Sequence, residues 1–452
     1  MSAGSWPRLG DWNNTDELFA LQRAALPDAF ERAARSPGYA GLRTPQRPDD
    51  AMEHLSRLAL TTKDQLRQGY PFGFLAVHRH ELVAYHESSG TATGRSTASY
   101  MTEDDWAELM DRVLRGSVKL ASTDTVLVKM SYAMATATHQ MHAAARAVGA
   151  LVVPADSRSS AMSFRRVLRL LRDLEVTVAC CVPLEPLLWA ACARLWPEAA
   201  TLPERGGPLR GIVSFGEPLS DAKRTRIEAL WTGATVYQSF GVSECGSNLG
   251  GQCPSGRLHL WADRYLPEVY DPSTGTLATE GTGQLVITTL YRRAMPLLRY
   301  LVGDLVELRY DACDCDWHLP TLQVLGRPEA LLNTGAKPLS SLDLEQAVYS
   351  LPEHLGVLFW RAVSGSGSLR LDIECEPRAA REAESELRKL LRHQLGVTIE
   401  TRAVAPGTLV SLDSLTEQEQ FAKPRYVFRE DEDLSGGVLY PRPTSPVTHK
   451  PT

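Results

Sequence analysis

The sequence predicts an α/β protein with a large N-terminal domain and a small α+β domain at the C-terminal end. From about Thr123 to Gly241, short β-rich runs alternate with helical runs, which is typical of a largely parallel sheet covered by helices. From Leu258 to Tyr310, short strands with turn signals replace this alternation and indicate an antiparallel or barrel-like subdomain. After Gly326 a third pattern of helices and strands begins.

The predicted elements follow in order along the chain. The first is a helix in DELFALQRAALPDAFERAARSPGY (16–39), where the apolar spacing is helical and Pro-Gly ends it. The alternating region holds five strands, DTVLVKMSY, ALVVPA, VTVACCVP, LRGIVSF and ATVYQSFG, and three helices, TATHQMHAAARAVG, SFRRVLRLLRDLE and DAKRTRIEALW. The last region holds the helix SLDLEQAVYSL, the hairpin GVLFWRAVSGSGSLRLDIECE, the helix AAREAESELRKLLRHQLG and the strand VTIETRAV.

These patterns divide the chain into three parts. Residues 1–326 form the predicted N-terminal domain, and residues 327–432 form the small C-terminal domain. Residues 433–452 are rich in proline and serine and are expected to be a disordered tail.

Composition and charge narrow the class of protein. The net charge is −6 without a long basic run, which argues against a nucleic-acid-binding protein. The N-terminus lacks the basic and apolar regions of a secretory signal, and the most apolar stretch (176–196) contains Glu185 and Arg194, which a membrane span tolerates poorly. We therefore expect a cytoplasmic protein that binds no membrane. The sequence leaves open whether two copies of the chain form a homodimer.

A glycine- and hydroxyl-rich segment, HESSGTATGRST (86–97), follows the apolar run FGFLAV (72–77). Such a loop can wrap a phosphate, because glycine lets the backbone approach and hydroxyl groups donate hydrogen bonds. Its glycine spacing is one residue short of a Walker P-loop, and Arg95 stands where that motif has lysine. From this segment alone, a phosphate loop and a solvated surface turn are equally good interpretations.

Six further motifs lie before and after this loop, and their sequences and order along the chain resemble those of a known enzyme family. They are TTKDQLRQGYPFG (61–73), SFGEPLS (214–220), SFGVSECG (239–246), MPLLRYLVGDLVEL (295–308), LGRPEALLNTGAKPLSSLDLE (325–345) and FAKPR (421–425). Together with the loop, these motifs resemble those of the adenylate-forming ligases, and most of all the phenylacetate–CoA ligase branch. The resemblance implies an acid–thiol ligase, in which a carboxylate attacks the α-phosphate of ATP and a thiol then displaces AMP from the acyl-adenylate.

The resemblance also implies roles for individual residues toward ATP and Mg²⁺. Phe240 would stack on adenine beside Gly241, Ser243 would face the α-phosphate, and Glu244 would bind Mg²⁺. Asp304 would accept the ribose hydroxyl groups. The remaining nucleotide-binding candidates are the loop residues Ser88, Ser89, Gly90, Thr91, Thr93, Gly94 and Arg95 and the adenine-pocket turn Gly216, Glu217 and Pro218.

Three residues near the C-terminal domain complete the implied catalytic set. Arg327 matches the ribose-contacting arginine, and Glu329 matches the hinge about which the small domain would rotate between the two half-reactions. Lys423 matches the lysine that bridges the substrate carboxylate and the α-phosphate. The chain departs from the family pattern at Arg95 and Ala422, where the family usually has lysine and glycine, and at Glu329, often aspartate.

The acid pocket is expected between SYAMATATHQ (131–140) and YQSFG (237–241). In the resembling family this region holds aryl and arylacetic acids, and polar side chains here suit an amino- or hydroxy-substituted ring. The candidate substrate-binding residues are Tyr132, Ala135, His139, Phe215, Gly216, Gln238 and Ser239.

The sequence leaves two questions open: which thiol accepts the acyl group, and whether the protein is catalytically active. The departures from the degradative ligases favour a biosynthetic relative in secondary metabolism, with a phosphopantetheine carrier protein slightly preferred over free CoA as the acceptor. A non-catalytic nucleotide-binding family member is the rival from another class, favoured slightly by the same departures. Against it stand the charged residues Glu244, Asp304, Arg327 and Lys423, which loss of function usually erodes.

The eight cysteines are too sparse for a disulfide scaffold. Four soft or borderline ligands, Cys253, His259, Cys313 and Cys315, flank the antiparallel subdomain and could make a tetrahedral structural zinc site. Free cysteines on loops are the equally good alternative, because the spacing matches no standard zinc motif.

Overall fold

The fold is taken from a computed structural model of the chain, which describes residues 6–88, 96–157, 159, 161–196, 198, 207–310, 312–333, 337–365, 368–416 and 424–439. The predicted α/β class is confirmed. The described residues contain a twelve-stranded sheet flanked by helices and a separate four-stranded sheet near the C-terminal end.

The first element confirms the predicted N-terminal helix, although it ends earlier, at Ala33. Asn14 caps it by accepting a hydrogen bond from the Glu17 N–H, and Asp16 lies in the first turn, where the helix dipole favours negative charge. The elements before the large sheet are α1 (Thr15–Ala33), α2 (Ala51–Ser56), α3 (Lys63–Gln68), β1 (Leu82–Glu87), β2 (Ala98–Thr102) and α4 (Glu103–Arg115). The helix α4 is missing from the prediction, although Thr102 and Asp105 form a capping box at its start.

The alternating region folds as the parallel half of the large sheet, as predicted. Five strands pair in the order β4-β3-β5-β6-β7, all parallel, and the three middle strands are almost entirely buried because helices cover both faces. The elements are β3 (Thr125–Lys129), α5 (Thr136–Ala147), β4 (Leu151–Pro154), α6 (Phe164–Asp173), β5 (Val178–Cys181), α7 (Glu185–Leu195), β6 (Gly211–Ser214), α8 (Asp221–Leu230) and β7 (Thr235–Phe240).

The next seven strands continue the same sheet with antiparallel pairing, in the region where the sequence predicts an antiparallel subdomain. From β7 the sheet runs β8-β9-β14-β13-β12-β10-β11. These strands are β8 (Gly250–Gln252), β9 (Leu258–Leu260), β10 (Tyr265–Asp271), β11 (Thr276–Ala278), β12 (Gly281–Thr289), β13 (Tyr300–Arg309) and β14 (Thr321–Gly326).

The C-terminal region has its own mixed sheet, in the order β19-β18-β17-β20, with helices packed against it. Its elements are β15 (Leu332–Asn333), β16 (Pro338–Leu339), α9 (Ser341–Tyr349), β17 (Trp360–Ser364), β18 (Leu369–Glu374), α10 (Ala380–Leu390), β19 (Glu400–Val404), α11 (Leu412–Thr416) and β20 (Val427–Arg429). Packing continues past residue 432, where the predicted tail begins, because Val438 and Leu439 are buried in the core. Residues 440–452 lie outside the described part of the chain.

The carboxyl ends of the parallel strands place the predicted motifs side by side. The segment 131–139 follows β3, the turn 215–218 follows β6, and the segment 241–246 follows β7. Because carboxyl ends of neighbouring parallel strands meet at one edge, this edge is where open α/β sheets bind ligands. Among the helices that the structure describes, none is both long and apolar enough to span a membrane.

Candidate active site

The predicted phosphate loop connects two antiparallel strands, β1 and β2. At the base of this connection, the Ser88 N–H donates to the Thr97 carbonyl oxygen at 3.0 Å, and the Thr97 N–H donates to Ser88 Oγ at 3.0 Å. The predicted residues Ser89, Gly90, Thr91, Thr93, Gly94 and Arg95 lie outside the described residues. The structure therefore fixes the two ends of the loop and where they emerge.

Glu244 lies beside the base of the loop, in a short 3₁₀ turn directly after β7. Its side chain is buried, and Oε1 accepts a hydrogen bond from Thr97 Oγ1 at 2.7 Å and pairs with Lys63 Nζ at 3.0 Å. Burial tends to raise the pKa of this carboxyl group, but Lys63 and the Thr97 hydroxyl outweigh burial, so its pKa is lowered. Glu244 is thus an ionised carboxylate at neutral pH.

The hydroxyl groups at the base of the loop form a chain of hydrogen bonds that ends at Glu244. A carboxylate can only accept, so the Thr97 hydroxyl donates to Glu244, and the Ser88 hydroxyl, 2.8 Å away, donates to Thr97 Oγ1. The chain Ser88–Thr97–Glu244 therefore links the start of the loop to the predicted Mg²⁺ ligand.

Two glycines shape the turn that carries Glu244. A Cβ at Gly241 would lie 1.4 Å from the Ser247 carbonyl oxygen, so no side chain fits there. Gly246 closes the 3₁₀ turn with a left-handed φ of +99°, which glycine adopts without strain. The sequence FGVSECG therefore folds as a tight turn that aims Glu244 inward.

Asp304 and Arg327 form the second polar pair of the site. They meet because β13 and β14 pair with Leu305 opposite Gly326, and Arg327 Nε donates to Asp304 Oδ1 at 3.1 Å. Burial raises the pKa of Asp304, while the positive charges of Arg327 and Lys63 oppose that shift. The charge of Lys63 acts to lower the pKa of both Glu244 and Asp304, so the two predicted nucleotide-binding carboxylates lie near the same lysine.

The predicted adenine-binding residues lie at the ends of two adjacent strands. Gly216, with φ +86°, follows β6 in the exposed turn that also contains Glu217 and Pro218, and Phe240 ends β7. Phe240 is 9 % exposed and packs in the core of the antiparallel half. Ser243 is half-buried next to Glu244 in the 3₁₀ turn. Adenine stacking on Phe240 and the role of Ser243 toward the α-phosphate stay predictions.

Aromatic side chains gather in the predicted acid pocket. Tyr132, Phe215 and Tyr237 pack in one hydrophobic cluster between α5 and the parallel strands. The Tyr132 carbonyl oxygen accepts from His139 Nε2 at 2.8 Å, and the two rings stand edge to face. Ala135, half-buried, directly precedes α5. The structure thus brings Tyr132, Ala135, Phe215 and His139 to one edge, whereas the Tyr237 ring lies against Gly211, at the amino end of β6.

Two further predicted substrate residues, Gln238 and Ser239, make hydrogen bonds within the fold. Ser239 Oγ donates to the Gly250 carbonyl oxygen at 3.1 Å, and the Gln238 N–H donates to Gln252 Oε1 at 3.0 Å. Both bonds join β7 to β8. The Ser239 hydroxyl proton is therefore committed to β8, which weakens its predicted role toward a ring substituent.

His86 is a functional candidate that the sequence analysis missed, although it opens the loop segment. It is buried, its ring stacks on Trp106, and it lies 5.4 Å from the His139 ring. Burial, together with His139 and Arg292, lowers the pKa of His86 to about 4, so it is neutral at pH 7. A neutral ring between Trp106 and His139 suits the wall of a pocket for a flat ligand.

Lys63 and Thr97 were also missed as site residues, although both lie in quoted motifs. Lys63 begins α3, where Thr62 and Gln65 form a capping box. Their roles depend on contacts with Glu244 from distant parts of the chain, and no sequence spacing encodes those contacts. Lys423 and Ala422 lie outside the described residues, and Glu329 lies in a 3₁₀ turn at the predicted hinge.

The cysteine and histidine residues predicted as a zinc site come together. The ligand atoms of Cys253, His259, Cys313 and Cys315 all lie within 4.8 Å of one another. This cluster joins the β8–β9 connection and strand β9 to the β13–β14 connection.

The chain is similar to known enzymes over most of its length. A family model described as AMP-binding enzyme matches residues 63–288. A phenylacetate–coenzyme A ligase of Thermus thermophilus is 33% identical over 309 residues, covering 67% of each chain. A phenylacetate–coenzyme A ligase of Escherichia coli is 28% identical over 430 residues, covering 88% of this chain and 93% of the relative.

Solved structures show the same fold. A 2-hydroxyisobutyryl-CoA ligase in its postadenylation state matches with a TM-score of 0.79, at 20% identity and 94% coverage of both chains.

Proposed function

Because the chain belongs to the AMP-binding enzyme family, on the phenylacetate–coenzyme A ligase-like branch of the adenylate-forming enzymes, we propose that it activates an aryl carboxylic acid with ATP and transfers the acyl group to coenzyme A. The observation that carries the proposal is the buried, ionised Glu244, held by Thr97 at the base of the phosphate loop. It supplies negative oxygen where a Mg²⁺-bound triphosphate would lie.

The donor set around Glu244 fits Mg²⁺, which prefers hard oxygen ligands such as carboxylate and hydroxyl groups. Glu244 and Thr97 would hold the ion, which supplies charge neutralisation on the phosphates when bound. Lys63 pairs with the same carboxylate and adds positive charge beside it. Asp304, oriented by Arg327, would accept hydrogen bonds from the ribose hydroxyl groups.

The proposed reaction has two steps. In the first, a carboxylate oxygen of the acid bonds to the α-phosphorus of ATP, and the bond to the β-phosphate oxygen breaks, so pyrophosphate leaves. In the second, the CoA thiolate attacks the acyl carbon and AMP leaves with the bonding electrons. We assign Lys423 to charge neutralisation during the first step, as the resemblance implies.

Different observations support the assignment of the aryl acid and the assignment of the thiol acceptor. The pocket walls Tyr132, Phe215 and His86 favour a flat ring, and His139 offers one polar atom to a hydroxyl or amino substituent. For the acceptor, the sequence slightly favoured a carrier protein, but the curated relatives are named coenzyme A ligases. Free CoA is therefore the proposed acceptor, and the intact Glu244 and Asp304 pairs disfavour the non-catalytic alternative.

The test is acid-dependent pyrophosphate release from ATP and Mg²⁺ across a panel of aryl and arylacetic acids. One acid or a narrow group should support release, with CoA thioester formation detected by mass spectrometry. The Glu244→Gln variant should lose release by about 100-fold or more, as expected when an electrostatic group at the reacting centre is removed. The control is Glu280→Gln on the exposed loop before β12.

Acyl transfer to a carrier protein but not to CoA would sink the acceptor assignment. Release unaffected by Glu244→Gln would sink the assigned role of this carboxylate.

A further inference from the structure

Among the residues that the structure describes, Cys253, His259, Cys313 and Cys315 form a cluster of possible metal ligands outside the adenylation site. We propose that this cluster binds one structural Zn²⁺ ion that fastens the antiparallel half of the large sheet.

The distances among the four side chains fit a tetrahedral ion. Cys253 Sγ lies 3.8 Å from Cys313 Sγ, and Cys315 Sγ lies 3.5 Å from His259 Nε2. With Zn–S bonds of about 2.3 Å and Zn–N bonds of about 2.0 Å, a tetrahedron has S···S edges of about 3.8 Å and S···N edges of about 3.5 Å. Both observed edges therefore match the size of a zinc site, and the Cys253–Cys313 pair is not at bonding distance for a disulfide.

The tautomer of His259 points the correct atom at the cluster. His259 Nδ1 lies 2.8 Å from the Leu319 carbonyl oxygen, and a carbonyl can only accept, so Nδ1 carries the proton and donates. The lone pair of Nε2 is then directed at the side where Cys315 lies. A carbonyl that fixes the second nitrogen in this way is the usual outer partner of a zinc-bound histidine.

The ligands are also shielded and rigid. His259 is fully buried where β9 pairs with both β8 and β14, and Cys253 is 2 % exposed in the tight turn before β9. Trp317 covers the cluster by packing edge to face on His259. No open coordination position is needed, so the ion would be structural and would take no part in catalysis.

The site would join parts of the chain that are far apart in sequence. Cys253 comes from the β8–β9 connection and His259 from β9, whereas Cys313 and Cys315 come from the connection between β13 and β14. Closing loops of this length with a metal removes conformational freedom from the unfolded chain and stabilises the fold. Because β14 leads directly to Arg327, the same ion would steady the strand that positions the ribose-binding pair.

The test measures the zinc content of the full-length protein, which is purified without a metal-affinity column. Inductively coupled plasma mass spectrometry should find about one zinc ion per chain in the wild type and in the Cys375→Ser variant, which removes a thiol of the small domain and serves as control. Cys313→Ser and Cys315→Ser should lose the zinc, and their Tm should fall by about 5 °C or more. Cys313 is the more exposed ligand, so this variant is the one best able to fold.

A second measurement keeps the proposal falsifiable if both variants fail to fold. Wild-type protein unfolded in chelator and refolded with Co²⁺ should show the intense visible bands of a tetrahedral thiolate site. A wild type without zinc and without these bands would overturn the proposal. So would a Cys253–Cys313 disulfide in protein purified without reductant, or equal zinc in wild type and in both variants, which would mean an adventitious ion only. Pyrophosphate release, measured in parallel, reports on the adenylation site independently of the metal.

Discussion

At the scale of single residues, the site depends on a few buried charges whose state is set by neighbours. Glu244 stays ionised because Lys63 and Thr97 offset its burial, and Asp304 is held by Arg327. The motif FGVSE indicated Glu244 and VGD indicated Asp304, because family motifs preserve local spacing. Lys63 and Thr97 were not predicted, since each reaches Glu244 only through the tertiary fold.

Replacing Lys63 with methionine should change the pH dependence of pyrophosphate release. Lys63 helps to lower the pKa of Glu244, so its removal lets burial raise that pKa. Because Glu244 acts as the carboxylate, the acidic limb of the pH–rate profile should move to higher pH. Lys389→Met, in an exposed helical pair of the small domain, serves as control. An unmoved acidic limb would show that Lys63 does not set the charge of Glu244.

His139→Phe should change the choice of acid more than the rate of adenylation. His139 Nε2 donates to the Tyr132 carbonyl oxygen, which leaves Nδ1 as the acceptor that can meet a ring hydroxyl or amine. Losing one such bond should lower kcat/KM for hydroxy- or aminobenzoates by about 10-fold relative to the unsubstituted acids. The exposed His80→Phe is the control, and an unchanged ratio of kcat/KM values would remove His139 from the pocket.

At the scale of elements, turns and strand ends decide where the site forms. The β1–β2 connection presents the phosphate loop, the β6 and β7 ends present the adenine and acid walls, and the β13–β14 pairing joins Asp304 to Arg327. The five strands and three of the four helices of the alternating region were predicted, because buried parallel strands and amphipathic helices have clear periodicity. The helix α7 was missed, since it is buried along most of its length and lacks an amphipathic pattern. The helix α4 was missed despite its capping box.

Gly241→Ala should destabilise the turn that carries Glu244. A methyl group there would collide with the Ser247 carbonyl oxygen, so the free energy of unfolding should fall by about 3 kcal/mol. Gly356→Ala is the matched control, because its φ of +72° is left-handed but nothing lies within 4 Å of the added carbon; it should cost about 1 kcal/mol. Chemical denaturation measures both, and equal losses would contradict the proposed collision.

At the scale of the whole molecule, the large sheet and the small domain are joined by a buried ion pair. Lys223 of α8 lies 3.0 Å from Glu345 of α9, and its Nζ donates to Tyr426 Oη. Burial lowers the pKa of Lys223, but Glu345 and Tyr349 outweigh it, so the pKa is raised. Its contribution to stability is therefore fully present below the ordinary lysine pKa and is lost only as the pH rises through the folded value.

Glu345→Gln should loosen the small domain. The substitution removes the carboxylate that is paired with the buried Lys223 ammonium, and breaking such a pair typically costs about 3–5 kcal/mol unless the surfaces separate. We expect a larger radius of gyration in solution scattering and faster proteolysis near residue 330. Glu386→Gln, in an exposed pair of the same domain, is the control. A variant as compact as wild type would show that the pair does not hold the two parts together.

The sequence by itself determined the fold class, the succession of the five strands in the parallel half and the positions of Glu244 and Asp304 in family motifs. Periodicity and motif spacing are local properties, so they can be read along the chain. Only the tertiary structure decided that Thr97 and Lys63 meet Glu244, that Lys223 meets Glu345, and that the zinc ligands proposed from the sequence, His259 and three cysteines, come together. These contacts depend on strand pairing and on packing between distant segments, which no local pattern of residues specifies.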